Sequence, residues 1–182
     1  MPFELRPYPE ETLKPEGLYL QEGWANNVYP TAEQYGVKIV LPHVSPQPHT
    51  HLAFEGYQYA KEHGKGNEYN HRMFKAFFQE EQDIENIDIL TKLAGEIGLN
   101  EQEYREALEA RKYEEVHKRV LIHAYNEADI TAVPTFFIGR YKIPGLLPQK
   151  TLEQVIDQEI EFQKNSDPPP IEGLSCGIDG CV

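Results

Sequence analysis

The hydrophobic period of this sequence changes near residue 130. Between residues 50 and 128, apolar side chains recur every three or four positions, which is typical of amphipathic helices. After that point two short apolar stretches, PTFFIG at 134–139 and YKIPG at 141–145, meet at a Gly-Arg pair and predict a β-hairpin. A hairpin alone is marginally stable in water. The strands therefore need partners, and the chain offers at most one more extended piece, Phe3 to Leu5.

Helix start and stop signals divide the helical region. The Thr50 side chain is predicted to cap a helix that runs to about Glu62. Asn100 and Glu103 resemble a capping box, and their helix is expected to run to about Lys112. The other helices are predicted from a short stretch at 24–35 and from four apolar faces: Tyr69, Met73, Phe74 and Phe77; Ile87, Leu90, Ala94 and Ile97, ahead of a Gly98 stop; Val116, Val120, Ala124 and Ala128; and, after a Thr151-Gln154 start, Leu152, Val155, Ile156 and Ile160.

Composition limits the classes of function. The chain has 182 residues and a net charge of −13, from 30 acidic against 17 basic residues. Phosphate contacts need a basic surface, so this balance argues against nucleic acids and anionic membranes as partners. No apolar run reaches the roughly 20 residues that cross a bilayer, and the N-terminus has no secretory-signal pattern. We therefore expect a soluble, cytoplasmic protein.

The chain has two cysteines, Cys176 and Cys181. The four intervening residues, two of them glycine, allow the Cα atoms to come within the roughly 4.4–6.8 Å that a disulfide requires. Such a pair either exchanges disulfides or belongs to an incidental tail. Zinc takes four ligands, and no second cysteine pair or closely spaced histidine pair lies nearby, so no metal is predicted. Asp179 would raise the thiol pKa, which favours an accessory redox pair over a primary nucleophile.

Two further residues each have a structural and a functional interpretation. Pro134 stands at the entrance of the first strand, where it cannot donate to the sheet, and it is either an ordinary edge proline or a cis-proline. His51 follows the helix start and either lines a cleft or makes a structural hydrogen bond. A group of aromatic residues either packs in the helical core or lines an apolar groove: Tyr57, Tyr59, Tyr69, Phe74, Phe77 and Phe78.

Several stretches, taken in order, resemble the DsbA family, and its FrnE-like branch in particular. They are PFELRP at 2–7, SPQPHTHLAFEGYQYA at 45–60, FKAFFQEEQDIENIDILTKLAGEIGL at 74–99 and ADITAVPTFFIG at 128–139. The CGIDGC tail at 176–181 is similar to a second Cys-x4-Cys pair found in some FrnE-like members. The resemblance covers nearly the whole chain and implies an α/β, thioredoxin-like (DsbA-type) fold with a large α-helical insertion.

The resemblance also implies a domain order. Residues 1–48 would be a remnant of the N-terminal half of the thioredoxin fold with a proline-rich loop, 49–128 the helical insertion, 129–165 the C-terminal β-β-α unit and 166–182 a flexible cysteine-containing tail. Family members carry a Cys-x-x-Cys motif at the start of their first helix, and this chain has none. We therefore expect an N-terminally incomplete fold whose exposed hairpin edge leaves the chain poorly stable or drives a homodimer.

The implied activity is thiol–disulfide exchange with protein or small-molecule thiols, without a bound cofactor. In this family Pro134 would be the cis-proline, and the backbone of Val133 would pair with the substrate. The predicted site residues are Val133, Pro134, Thr135 and His51 for substrate binding, and Cys176 and Cys181 as an accessory redox pair.

Two alternatives to this activity stay open. The first is a glutathione-dependent enzyme of the same superfamily, a 2-hydroxychromene-2-carboxylate isomerase or a kappa-class glutathione transferase, which would use glutathione. The second is a non-catalytic adaptor that keeps the cis-proline groove for an extended peptide. The Cys-x4-Cys pair favours the redox activity over both.

Overall fold

The structure, a computed structural model, describes residues 2–166. The chain divides into two compact units, Met1–Ala128 and Asp129–Val182. The first unit is helical, and the second carries the strands of residues 2–166. Within residues 2–166, every helix is too short or too polar to cross a lipid bilayer.

The first unit begins with an extended segment and an interrupted helix. α1 (Leu18–Gly23) continues through a π-helical turn (Trp24–Val28) into α2 (Tyr29–Gln34). Pro30 lies at the start of α2, and because its nitrogen donates no hydrogen bond, the regular ladder is interrupted beside it. The helix starts earlier than the predicted 24–35 stretch. Its first turn exposes Leu18 and Tyr19, so it has no buried apolar stripe from which the start could be predicted.

Five more helices complete the unit, and they confirm the predicted periodic segments. They are α3 (His51–Glu62), α4 (Gly66–Glu80), α5 (Ile87–Glu96), α6 (Glu101–Glu109) and α7 (Glu114–Ile122), the last continuing as a π-helical turn (His123–Glu127). Gly98, at φ +82°, ends the α5 segment, and the Asn100 side chain accepts the Glu103 N–H at the start of α6. The core of the unit includes Leu52, Ala60, Tyr69, Leu90, Leu93, Tyr104 and Leu108.

Three local predictions in this unit need correction. The Thr50 side chain makes no capping hydrogen bond, although α3 begins directly after it. Phe74 is 65% exposed, because α4 buries a narrower stripe than its apolar residues suggested. α6 ends at Glu109 rather than near Lys112, because Arg111 adopts the left-handed conformation, with φ +51°, and closes the helix.

The second unit is a hairpin with a helix that contacts its first strand. β1 (Thr135–Ile138) pairs antiparallel with β2 (Tyr141–Pro144), and α8 covers Gln149–Ser166. Gly139, at φ +51°, lies in the predicted turn. A Cβ at this position would lie 2.1 Å from a carboxylate oxygen of Glu159, so the absence of a side chain lets Glu159 of α8 lie against the turn. α8 begins before Thr151, so the helix start predicted at Thr151 is wrong.

Phe3–Leu5 adds no strand, and the sheet within residues 2–166 has two strands. The polar groups of this segment bond to the helical unit instead. The Glu4 carboxylate bonds to His117 of α7, and the Glu4 carbonyl accepts a hydrogen bond from the Tyr125 hydroxyl. The Phe3 ring meets the Tyr125 ring edge-on, with 5.1 Å between centroids. Side-chain contacts therefore hold this segment in place of a β-ladder.

Candidate functional site

The predicted site residues fall in three parts of the chain. Val133, Pro134 and Thr135 are consecutive at the entrance of β1 in the second unit, and His51 opens α3 in the first unit. Cys176 and Cys181, the predicted redox pair, lie outside the described residues.

The loop before β1 is held by its own hydrogen bonds. The Val133–Pro134 peptide bond is cis. The Thr135 hydroxyl donates to the Ala132 carbonyl at 2.5 Å, and the Pro134 carbonyl accepts the N–H of Gly145 at 2.7 Å. Val133 is 49% exposed, and within residues 2–166 its amide and carbonyl take part in no backbone hydrogen bond. Within residues 2–166 the backbone donor and acceptor of Val133 are therefore unpaired, and pairing with an extended peptide needs such a donor and acceptor.

His51 is buried in an aromatic and charged setting. Its side chain packs against the Tyr8 ring at 5.0 Å between centroids, and the His49 ring lies 6.0 Å away. Its Nδ1 is buried and bonds to no group within residues 2–166, so the structural hydrogen bond weighed for His51 is absent at this atom. Burial lowers the pKa of His51, and the nearby Arg111 guanidinium lowers it further.

His49, two residues earlier, has the opposite electrostatic setting. Its Nδ1 lies 3.1 Å from the Glu85 carboxylate, and its Nε2 donates to the Glu10 carbonyl at 2.9 Å. Burial alone would lower the pKa of His49, but these two hydrogen bonds and the Glu85 charge outweigh burial and raise the pKa. The two neighbouring histidines therefore favour different protonation states.

Two buried acid–base pairs were missed by the sequence analysis. Glu4 and His117 are both buried and bonded to each other, while Glu4 Oε2 and His117 Nδ1 bond to no group within residues 2–166. Glu55 is fully buried in α3 and bound by Arg111 through Nε and Nη2. The partners lie 113 and 56 residues apart, so no local spacing could have paired them.

The opposite settings of His51 and His49 predict opposite effects of pH on stability. Because the pKa of His51 is lowered from its ordinary 6.5, neutral His51 contributes stability above about pH 6.5, and this is lost as the pH falls below 6.5. The pKa of His49 is raised, so His49 acts in the opposite direction. Its contribution to stability is fully present below pH 6.5 and is lost as the pH rises through its folded pKa.

Urea unfolding of His51→Gln and His49→Gln against the wild type, between about pH 5 and 8, measures both effects. As the pH falls, we expect the wild type to lose stability relative to His51→Gln. As the pH rises, we expect the wild type to lose stability relative to His49→Gln. Parallel pH profiles for the two variants would contradict these assignments.

The comparisons with known proteins place the chain in a family. A family profile described as a DSBA-like thioredoxin domain matches residues 3–157. The chain belongs to this DSBA-like thioredoxin domain family, which confirms the resemblance to the DsbA family, while the FrnE-like branch stays a prediction. The family is one of thiol–disulfide oxidoreductase type, and its fold is thioredoxin-like with inserted helices.

Two individual proteins illustrate the relationship. The uncharacterized protein YwbO of Bacillus subtilis (strain 168) is 53% identical over 160 residues, which are 87% of this chain and 80% of YwbO. The crystal structure of a probable DsbA oxidoreductase from Streptomyces coelicolor superposes with a TM-score of 0.68 at 22% identity, over 90% of this chain and 69% of that chain. At this identity the second likeness supports the fold alone.

Proposed function

We propose that this protein is a thiol–disulfide oxidoreductase that exchanges disulfides with protein or small-molecule thiols through Cys176 and Cys181. The observation that carries the proposal is that the two cysteines of a DSBA-like chain form one Cys-x4-Cys pair. A pair that close in sequence can form the disulfide that exchange chemistry requires. The similarity of this pair to the second Cys-x4-Cys of FrnE-like members supports membership in that branch.

The exchange reaction needs no group beyond the two thiols and a substrate disulfide. The thiolate of one cysteine attacks a substrate sulfur, which forms a mixed disulfide and releases the first substrate thiol. The second cysteine then attacks the mixed disulfide, so that the second substrate thiol leaves and Cys176 and Cys181 become joined. The substrate gains two electrons and two protons, which the cysteine pair loses. A second thiol, such as glutathione, reduces the pair again by the reverse steps.

The Val133–Thr135 loop supports binding of an extended polypeptide substrate. The open amide and carbonyl of Val133 fit pairing with a peptide backbone, and the two loop hydrogen bonds at Thr135 and Pro134 hold the loop in a defined shape. Backbone pairing is tolerant of sequence, which suits a protein that acts on many polypeptides. A small disulfide has no peptide backbone to pair with, so this loop should matter for peptide substrates only.

The test compares two substrates across matched variants. Wild type should exchange disulfides with a fluorescent peptide disulfide and with an aromatic disulfide reagent, and Cys176→Ser/Cys181→Ser should exchange neither. Val133→Pro removes the amide donor and should slow the peptide reaction by about tenfold, the effect of losing about 1.4 kcal/mol of binding, while the small-disulfide rate stays unchanged. Val133→Ala keeps the backbone donor and serves as the control. Equal rates for the double serine variant and the wild type would contradict the proposal.

A second function, that of a non-catalytic peptide-binding module, is favoured by one observation. Residues 2–166 contain no cysteine, so this part of the chain can bind a peptide but cannot exchange a disulfide. Peptide affinity that is the same for wild type and the double serine variant, together with no exchange by either, would favour the binding module. If the wild type exchanges disulfides and the double serine variant does not, while both bind the peptide equally, the oxidoreductase is favoured.

A further inference from the structure

An apolar cavity of about 190 Å³ lies between α3 and α4 of the helical unit. Ala53 and Tyr57 of α3 form one side, Met73 and Phe77 of α4 form the other, and Ile84 lies in the segment after α4. The aromatic groove weighed in the sequence analysis is therefore present in part. Tyr57, Tyr69, Phe74, Phe77 and Phe78 line the cavity, and Tyr59 does not.

The charge of the lining limits what the cavity can hold. No Asp, Glu, Lys, Arg or His is among the residues that line it, although the chain has a net charge of −13. The one buried hydroxyl at its wall is already paired, since Tyr69 donates to the Ala53 carbonyl at 3.0 Å and lies 2.7 Å from the Tyr104 hydroxyl. Burial also raises the pKa of Tyr69, so this wall stays neutral. An ionised ligand would lose its hydration and gain no countercharge, so the lining selects an uncharged ligand.

The size of the cavity limits the ligand to a single ring. An apolar protein cavity of roughly 150 Å³ binds benzene, whereas pockets for drug-sized ligands begin at roughly 300 Å³. At about 190 Å³ this cavity has room for one six-membered ring and a few substituent atoms.

The rim of the cavity combines an exposed ring with an amide. Phe74 is 65% exposed, and its ring stacks near Phe78 at 6.2 Å between centroids with an interplanar angle of 20°. Asn70, an exposed residue one helical turn before Phe74, also lines the cavity and carries an amide that can donate and accept hydrogen bonds. A ligand with one polar substituent on its ring could therefore bury the ring and bond the substituent at Asn70.

From the lining, the volume and the rim we infer that the helical unit binds a small, uncharged molecule with one aromatic ring and one hydrogen-bonding substituent, of the phenol class. The ring occupies the space between α3 and α4 and meets the aromatic side chains edge-on or offset, as such rings prefer. Every residue that lines the site lies between Thr50 and Ile84, in the helical unit.

The methionines of the chain provide a direct readout of this site. The sequence has two, Met1 and Met73, and Met73 lies in the cavity wall, so the methyl signal that disappears in Met73→Leu reports on the site. The probe is p-cresol, titrated into the full chain. We expect a saturable shift of the Met73 methyl signal, caused by the ring current of the bound ligand. 4-Methylbenzoate has the same ring with a charge and should bind at least about tenfold more weakly.

Two matched substitutions on α4 locate the binding. Asn70→Trp places a large ring at the exposed mouth and should weaken p-cresol binding by about tenfold or more, because it occupies the space of the ligand. Asn67→Trp makes the same change three residues earlier at an exposed position that does not line the cavity, and it should leave binding unchanged. The inference would be overturned by a Met73 signal that stays still up to the solubility limit of p-cresol. Binding that Asn70→Trp does not weaken, or that Asn67→Trp weakens equally, would also overturn it.

Discussion

Replacing Gly56 by alanine should lower the free energy of unfolding by about 3 kcal/mol, against the usual gain for this change inside a helix. Gly56 lies in α3, and an added Cβ would stand 2.0 Å from the Tyr104 hydroxyl oxygen and 2.4 Å from that of Tyr69. Both rings are buried, so neither can move into solvent. The methyl group would overpack the core at about 1–3 kcal/mol and separate the paired hydroxyls, which adds about 1–3 kcal/mol for a buried polar group left unpaired.

Urea or thermal unfolding of Gly56→Ala measures this loss, and two further variants control it. Gly23→Ala makes the same change at the end of α1, where an added Cβ meets nothing within 4 Å, and should be neutral or stabilise by up to about 1 kcal/mol. Adding Tyr104→Phe to Gly56→Ala removes the closest clashing atom and should recover part of the loss. A Gly56→Ala protein as stable as Gly23→Ala would contradict the close approach of the Tyr69 and Tyr104 hydroxyls to Gly56.

Replacing Arg111 by methionine should cost about 3 kcal/mol, because it leaves the carboxylate of Glu55 buried without its partner. The Arg111 Nη2 lies 2.6 Å from Glu55 Oε1, and its Nε lies 3.1 Å from both carboxylate oxygens. Glu55 is fully buried, whereas the Arg111 side chain is 36% exposed, so the cost falls on the glutamate. Methionine is preferred over glycine here, because Arg111 has φ +51° and glycine would also relax the backbone.

The double variant Glu55→Gln/Arg111→Met separates loss of the pair from loss of packing, and equilibrium unfolding in urea measures both. It removes both charges and should lose less stability than Arg111→Met alone. Glu114→Gln removes a more distant contact of Arg111, 3.7 Å away and on the surface, and should cost no more than about 1 kcal/mol. If Arg111→Met lowered the free energy of unfolding as little as Glu114→Gln, the Glu55–Arg111 pair would contribute no more to stability than a surface ion pair, which would contradict this prediction.

The helices could be predicted from the sequence wherever a periodic apolar face coincided with a clear stop. Ile87, Leu90 and Ala94 keep one face through α5, and Gly98 then takes the left-handed conformation that ends the segment. The start of α1 could not be predicted, because Leu18 and Tyr19 face outward. The exposure of Phe74 could not be predicted either, since the helical period places it near the core and only the packing of neighbouring helices decides its burial.

One part of the candidate site could likewise be predicted from the sequence, and another part could not. The loop from Val133 to Thr135 could be predicted, because a proline at the entrance of a strand is a local signal. The setting of His51 could not, since it depends on Tyr8 and Arg111, which are 43 residues before and 60 residues after it in the chain (51 − 8 and 111 − 51). Contacts across such separations are set by how the helices pack, and one sequence carries no local trace of them.

Whether Cys176 and Cys181 form one exchangeable disulfide is the most direct test of the proposed function. The measurement is the intact mass of the chain after equilibration with oxidised glutathione, for wild type and Cys176→Ser. Exchange through the pair predicts that wild type loses two hydrogen atoms and carries no glutathione, because the second cysteine displaces the first adduct. Cys176→Ser should instead retain one glutathione on Cys181. A wild-type chain that carries two glutathiones, or one whose mass does not change, would contradict the account.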